Sequence, residues 1–201
     1  LAEESTQVTP EALLDAVSAS RTRTIEIANV LVSLLENQRA LLRGHSAQVS
    51  RLLQRVSHHM GLEKSEIDAM RLAGLLHDLG KSTSYHLTAL NVAEYDGHRS
   101  HALKCFQSPS RLFEGASLAP TTVLTLNHLY ERFDGSGFPD RRSGKDIPLG
   151  ARLLAIAETY ADMVSNERNP FRKRLSARAA MGCSVATVTP SSIPTLSTCS
   201  A

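Results

Sequence analysis

Apolar residues recur at helical spacing in several separate stretches of the chain, and this periodicity constrains its fold more than any other feature. The stretches cover residues 25–35, 49–56, 67–76 and 153–160. Apolar side chains three or four positions apart lie on one face of an amphipathic helix. Aromatic residues make up only 4% of the chain and Trp is absent, which disfavours sheets. The sequence therefore predicts an all-α protein built as a multi-helix bundle.

The chain divides into three regions by composition. Residues 1–42 are predicted to form one or two helices, which could serve as a linker from an upstream module. Residues 43–176 carry most of the helical periods and form the predicted main domain. After Arg178 no charged residue occurs, and Ser, Thr, Ala, Val and Pro dominate. Because such a segment shows no helical period, residues 177–201 are predicted to be an irregular or disordered tail.

Composition also excludes several classes of function. A formal net charge of +2 over 201 residues does not provide the dense basic face that binds nucleic acid polymers or an anionic membrane. The three cysteines form no CxxC pair, so neither a disulfide scaffold nor a Cys-based zinc site is expected. No apolar run is long enough to span a membrane and no signal peptide is visible. A cytoplasmic location is therefore expected.

The sharpest local feature is the pair His77-Asp78, which follows an apolar helical stretch. An imidazole nitrogen and a carboxylate oxygen can bind one metal ion together, and a dry apolar environment strengthens that interaction. Lys81, one helical turn further on, could bind a substrate phosphate as a point charge. The structural alternative is that His77 caps the helix and Asp78 is solvated.

Two further residues could complete a metal site. His45 lies near the start of the preceding predicted helix, and two antiparallel neighbouring helices can bring it close to His77. Glu158 interrupts an apolar run, so it either lies on the solvent-exposed face of its helix or is neutralised by a partner such as a metal ion. Spacing alone favours the solvent-exposed position.

Taken in order, His45, His77-Asp78 and the distant acid Glu158 resemble the HD superfamily of metal-dependent phosphohydrolases. The run 131–139 resembles the signature loop of the HD-GYP branch, and Gly137-Phe138-Pro139 takes the place of the Gly-Tyr-Pro in that name. Each motif is short, but all occur in the right order with compatible spacing. Two later segments, 144–148 and 168–173, also match, so the resemblance covers residues 43–176.

The resemblance implies both a fold and a chemistry. Proteins of this branch are helical HD-type bundles that hydrolyse cyclic di-GMP with two or three clustered metal ions, typically iron or manganese. By this resemblance one metal ion would be held by His45, His77, Asp78 and Glu158, and catalysis would use Asp78 and Lys81. The implied substrate-binding residues are Lys81, Gly137, Phe138, Pro139, Arg168 and Arg172.

The chain departs from this branch at ligands of the multi-metal centre. The branch has a further histidine where this chain has Cys105, with His98 and His101 nearby as substitutes in a different register. Leu41 stands where some members have an additional acid. At most one divalent metal ion is therefore expected, and a metal-free domain is the alternative.

The branch also has two adjacent histidines where this chain has Leu129 and Tyr130. His128 is one position away, which on a helix is a rotation of about a hundred degrees, so it need not reach the site. Tyr130 could bind a metal ion only if it were deprotonated. The remaining histidines are interpreted as structural: His58, His59 and His86.

Three functions remain open from the sequence. The first is an HD-GYP-type domain in cyclic di-GMP signalling with weak or no hydrolysis. The second is a non-catalytic regulatory module that binds a nucleotide or a protein partner. The third is a mononuclear HD phosphohydrolase that acts on another nucleotide. The missing ligands favour a domain that has lost catalysis and works by binding.

Overall fold

The computed structural model describes residues 9–39, 42–81, 85–115 and 117–186. Regular structure in these ranges is helical throughout, which confirms the all-α prediction. None of the helices described there combines the length and the apolar composition that crossing a membrane requires. The helices are α1 (Pro10–Glu36), α2 (His45–His59), α3 (Lys64–Leu76), α4 (Ala89–Glu94), α5 (Asp96–Cys105), α6 (Ser108–Arg111), α7 (Pro120–Asn127), α8 (Leu149–Ser165) and α9 (Ala177–Ala186), with a 3₁₀ turn at Gly144–Asp146.

The close contact between α2 and α3 fixes the relative positions of two candidate ligands. At Gly74 a side-chain Cβ would lie 2.9 Å from both the Cα of Ser50 and the Cδ1 of Leu53, so only glycine allows this approach. The hydroxyl of Ser50 also donates to the carbonyl oxygen of Arg71 at 2.9 Å. Since His45 begins α2 and His77 follows α3, this contact holds both histidines in place.

The main core lies where α8 packs against α2 and α7. Its fully buried side chains include Val49 and Leu53 of α2 and Leu154 and Ala161 of α8. Val49, Leu53 and Leu154 belong to the apolar stretches that the sequence predicts to face inward, and Ala161 lies one position beyond the last of them. Burial of the apolar face of α8 also carries its acidic residues into the interior of the bundle.

The long helix α1 packs along α3 and is bonded to the start of α2 at its C-terminal end. Val32 packs against a second buried cluster that includes Leu76 and Leu126. The carboxylate of Glu36 accepts hydrogen bonds from the backbone N–H groups of Gly44 and Ser46, both at 2.9 Å. These bonds satisfy N–H groups that the first turn of α2 leaves without helical partners.

The prediction of an irregular tail is wrong for the first part of that segment, because residues 177–186 form helix α9. Ala180 and Cys183 are three positions apart and both are buried, in a cluster with Leu90 and Met163. Small side chains let α9 lie directly on α8, and packing of this kind supplies most helical stability in proteins. Residues 187–201 lie outside the described part of the chain.

Candidate metal centre

His77 presents a free nitrogen to the centre of the bundle. Its imidazole is fully buried, and Nδ1 donates to the carbonyl oxygen of Gly74 at 2.8 Å. Nε2 therefore carries the lone pair and has no hydrogen-bond partner among the described residues. A histidine fixed in this way by a backbone carbonyl is oriented for metal binding.

Four residues bring potential ligand atoms together around this nitrogen. One atom each from His45, His77, Asp78 and His86 lie within 4.8 Å of one another. The His45 ring centroid is 5.4 Å from that of His77 and 4.5 Å from that of His86, so the three imidazoles are in contact. The side chain of Asp78 is only 12% exposed, which makes the solvated alternative for this residue wrong.

The structure also corrects the interpretation of His86 as a structural loop residue. Its Nε2 lies 2.7 Å from Oδ2 of Asp78, and its Nδ1 lies 2.8 Å from Oδ1 of Asp162. The amide of Asn166 donates to the same Asp162 oxygen at 2.8 Å. A line of hydrogen bonds thus runs from Asp78 through His86 to the end of α8.

Glu158 lies on α8 and is fully buried, so the solvent-exposed interpretation that spacing favoured is wrong. Its Oε1 accepts a hydrogen bond from the backbone N–H of Ala89 at 2.6 Å. Its Oε2 lies 3.7 Å from Nε2 of His77 and has no hydrogen-bond partner among the described residues. Glu158 therefore adds a second carboxylate to the site.

The charges in the site act strongly on its titrating groups. Burial raises the pKa of Glu158 to about 8, and burial lowers the pKa of His77 to about 4. Burial also acts to lower the pKa of His86, but the carboxylates of Asp78 and Asp162 outweigh it and hold that pKa well above its ordinary value. Near neutral pH the metal-free site thus contains a neutral His77, a protonated Glu158 and a cationic His86.

The donor set fits a divalent transition metal ion. Buried polar atoms without hydrogen bonds cost on the order of 1–3 kcal/mol each, so a cluster of them requires an explanation. Imidazole nitrogens together with carboxylate oxygens suit ions such as manganese or iron. The atoms concerned, all without a hydrogen bond to the described residues, are His45 Nε2, His77 Nε2, Asp78 Oδ1 and Glu158 Oε2.

A buried cation lies beside these ligands. The Lys81 side chain is almost fully enclosed, and its Nζ atom lies 3.8 Å from Oδ1 of Asp78. Nζ also donates to the hydroxyl of Tyr130 at 3.0 Å, and that hydroxyl donates to the carbonyl oxygen of Leu87 at 2.7 Å. Burial raises the pKa of Tyr130 well above its ordinary value, so the phenol keeps its proton and does not act as a phenolate ligand.

The signature loop, residues 131–139, packs against the ring of Tyr130. Phe138 is 4% exposed, and its ring centroid lies 5.3 Å from that of Tyr130. A Cβ at Gly137 would lie 2.3 Å from the backbone nitrogen of Arg132, so the loop needs glycine there. Pro139 is exposed, and the substrate contacts of Gly137, Phe138 and Pro139 stay a prediction.

The predicted phosphate-binding arginines lie in the loop that follows α8. Arg168 and Arg172 are both exposed. The backbone N–H of Arg168 donates to Oδ1 of Asn166 at 2.9 Å, and Asn166 in turn holds Asp162. The loop therefore begins at the candidate metal centre, and the phosphate contacts of the two arginines stay a prediction.

The alternative ligands considered from the sequence lie elsewhere. His128 lies 3.0 Å from Oδ2 of Asp140, in a separate cluster with Glu131, as its helical offset predicts. In that cluster the Glu131 oxygens accept the N–H groups of Asp140 and Arg142, so its polar groups satisfy one another. The other candidates fall outside the cluster of four ligand atoms or outside the described residues: Cys105, His98, His101 and Leu41.

Two residues of the site, His86 and Asp162, were missing from the predicted set. A signal existed for Asp162, since it lies four positions after Glu158 and therefore on the same helix face. His86 gave no periodic signal, because it lies in the connection between α3 and α4.

Comparison with known proteins agrees with this geometry. A family model described as an HD domain matches residues 29–186. The 3'3'-cGAMP-specific phosphodiesterase 2 of Vibrio cholerae serotype O1 is 28% identical over 156 residues, which are 68% of this chain and 30% of that protein. The cyclic di-GMP phosphodiesterase response regulator RpfG of Xanthomonas campestris pv. campestris is 28% identical over 143 residues, 66% of this chain and 37% of that protein.

A cyclic di-GMP phosphodiesterase of Thermotoga maritima is 28% identical over 152 residues, which are 73% of this chain and 40% of that protein. The chain thus spans between 30% and 40% of the length of these three relatives.

Proposed function

The chain belongs to the HD domain family, with a domain of the HD-GYP type, and from this premise we propose that it binds one divalent metal ion and acts as a weak phosphodiesterase on a cyclic dinucleotide. The observation that carries the proposal is the set of four buried polar atoms without hydrogen bonds, which come from α2, from the end of α3 and from α8. The proposed ligands are His45, His77, Asp78, His86 and Glu158, and the proposed ion is iron or manganese.

Each proposed residue would have a separate role at this site. When bound, the metal ion would supply positive charge to the phosphodiester and lower the pKa of a water molecule. Lys81 would hold a phosphate oxygen with its ammonium group, which Tyr130 keeps in position. Asp162 would keep the His86 imidazole in its orientation, as outer-shell carboxylates do for metal-bound histidines. Arg168 and Arg172 would neutralise the second phosphate of the dinucleotide.

Weak turnover follows from a single metal ion. In two-metal sites one ion stabilises the attacking oxygen and the other the leaving oxygen of the displacement. In this chain the position next to Asp78 holds the ammonium of Lys81, bonded to the phenol of Tyr130. An ammonium neutralises charge, but it does not activate water as a metal ion does.

The test combines metal analysis with turnover of cyclic di-GMP. Protein loaded with Mn²⁺ or Fe²⁺ under anaerobic conditions should contain one ion per chain and should bind cyclic di-GMP and hydrolyse it slowly. His77→Ala should lose both the metal ion and the turnover. His58→Ala removes an exposed histidine on α2 and should behave like the wild type.

Other outcomes separate the competing functions. Binding of cyclic di-GMP without turnover would favour the regulatory module. Turnover of another nucleotide but not of cyclic di-GMP would favour a general HD phosphohydrolase. Two or more metal ions per chain would contradict the mononuclear site. A His77→Ala variant that keeps its full metal content would contradict the ligand assignment.

A further inference from the structure

Four aromatic side chains gather outside the metal centre and form what is here named the ring cluster: Tyr85, Tyr95, His98 and His101. The rings of Tyr85 and His98 are stacked, with centroids 3.9 Å apart and planes 14° apart. The ring centroid of Tyr95 lies 5.0 Å from that of His98, and the ring centroid of His101 lies 6.3 Å from that of Tyr85. Tyr85 and Tyr95 are 38% and 40% exposed, so these rings face solvent as well as one another.

The chain connects the ring cluster to the metal centre and to the core of the bundle. Tyr85 directly precedes His86, whose imidazole contacts Asp78. His98 and His101 share one face of α5 with Cys105, since the three are spaced by three and four positions. Cys105, at the C-terminal end of this face, packs against the main core of the bundle.

The length of that helix face matches a ligand larger than a phosphate. From Cys105 to His98 the rise along α5 is about 10 Å at roughly 1.5 Å per residue. A ligand that reaches along α5 from the core end of this face to His98 must therefore extend over a distance of this order. A nucleotide has this build, because a ribose separates its phosphate from its base.

We propose that the ring cluster binds a purine base of the cyclic dinucleotide, with the base stacked on the face of Tyr85 that His98 does not cover. This inference rests on the proposed function, because it assigns the place of one base of the same ligand. Stacking suits such a surface since every base has a π-face, and each base–aromatic stack strengthens binding considerably.

One polar atom of the cluster lies beneath its surface. The Nδ1 atom of His98 is shielded from solvent and has no hydrogen-bond partner among the described residues. Burial lowers the pKa of His98, so its ring is neutral near pH 7 and one nitrogen can accept a hydrogen bond.

The absence of tryptophan from the chain makes a direct test possible. Tyr85→Trp introduces a single indole into the ring cluster, and a stacked guanine quenches indole fluorescence. Cyclic di-GMP and GMP should both quench this variant, whereas ribose 5-phosphate should not. Tyr160→Trp places the same fluorophore in the cluster between α8 and α9, and its emission should stay unchanged.

Affinity provides a second measurement. Tyr85→Leu should weaken cyclic di-GMP binding about tenfold to a hundredfold in calorimetry. Tyr85→Phe keeps the aromatic ring and should bind cyclic di-GMP with the affinity of the wild type. The metal content of both variants should equal that of the wild type.

Each result bears on the subsite separately from the proposed function. If the wild type binds cyclic di-GMP while Tyr85→Trp is not quenched and Tyr85→Leu binds normally, the subsite is overturned and the proposed function stands. If the wild type does not bind cyclic di-GMP, the proposed function fails. In that case quenching of Tyr85→Trp by GMP still supports a purine subsite, and no quenching overturns it.

Discussion

The Nζ atom of Lys81 lies 3.0 Å from the hydroxyl oxygen of Tyr130, in the interior of the bundle. A buried ammonium requires partners to compensate for its lost hydration. Tyr130 and the carboxylate of Asp78 provide them here. The contact places the ammonium group of Lys81 next to the ligands of the candidate metal ion.

Removal of the Tyr130 hydroxyl should leave the Lys81 ammonium less firmly held in position. Tyr130→Phe leaves Lys81 and the carbonyl oxygen of Leu87 each without one hydrogen bond. We expect a loss of about 1–3 kcal/mol in the free energy of unfolding, measured by urea denaturation, and weaker cyclic di-GMP binding. Tyr160→Phe is the matched control and should change stability by less than about 0.5 kcal/mol. Equal stability of the two variants would contradict the role assigned to the phenol.

Asp162 should control metal affinity through His86. Asp162→Asn weakens the hydrogen bond that holds Nδ1 of His86. Loss of an outer-shell carboxylate typically lowers metal affinity by about 10- to 100-fold, which competition with a chelating dye would measure for Mn²⁺. Asp140→Asn changes an acid of the separate His128 cluster and should leave the affinity unchanged. An unaltered affinity in Asp162→Asn would remove His86 from the proposed ligand set.

The metal-free protein should lose stability as the pH rises from 6.5 to 8. Glu158 has an ordinary pKa of 4.5 and a folded pKa of about 8, so in this range the folded state holds a proton that the unfolded chain has released. Stability therefore falls with rising pH, and the raised pKa of His86 acts in the same direction. The lowered pKa of His77 has the opposite effect, but only below its ordinary value of 6.5.

Two comparisons test this assignment. Glu158→Gln should show a flatter dependence of the melting temperature on pH than the metal-free wild type. Bound Mn²⁺ should reverse the trend, since the ion replaces the proton on Glu158 and its affinity rises with pH. A melting temperature independent of pH over this range in the metal-free wild type would show that Glu158 is ionised in the fold.

Gly137 should be intolerant of any side chain. A Cβ there would lie within 2.6 Å of three backbone atoms of residues 130–132, and none of these atoms can move without displacing Tyr130. We expect Gly137→Ala to cost about 1–3 kcal/mol or more of stability in urea denaturation. Gly97→Ala, on α5, meets no atom within 4 Å and should be neutral or stabilise the helix by up to about 1 kcal/mol. Similar effects of both substitutions would contradict the close approach of the loop.

The sequence predicts the parts of the site that lie on periodic helices better than the parts that lie in connections. The placement of His45, His77 and Asp78 follows from their positions at the ends of α2 and α3. The short connection at residues 60–63 makes these helices antiparallel, so the start of α2 lies beside the end of α3. His86 lies outside any helical period, and its contacts with Asp78 and with Asp162, far along the chain, reveal its place. Long-range contacts of this kind leave no local pattern.

Glu158 illustrates a different limit of sequence reasoning. A single acid in an apolar run is compatible with solvent or with the interior, and spacing favours solvent. Contacts with His77 and with the backbone of Ala89 enclose Glu158, which no single helix can indicate. Helix α9 was missed for a similar reason, because its stability depends on its contact with α8 and not on charge or amphipathic spacing.

The attachment of α1 has a mechanical consequence for the metal centre. The Glu36 carboxylate at the end of α1 holds the N–H groups of Gly44 and Ser46, the two residues on either side of His45. A rotation or axial shift of α1 would therefore change the position of one imidazole relative to the other ligands. Val32 of the same helix packs in a buried cluster with Leu76, the residue before His77, so a shift of α1 would also act on a second proposed ligand.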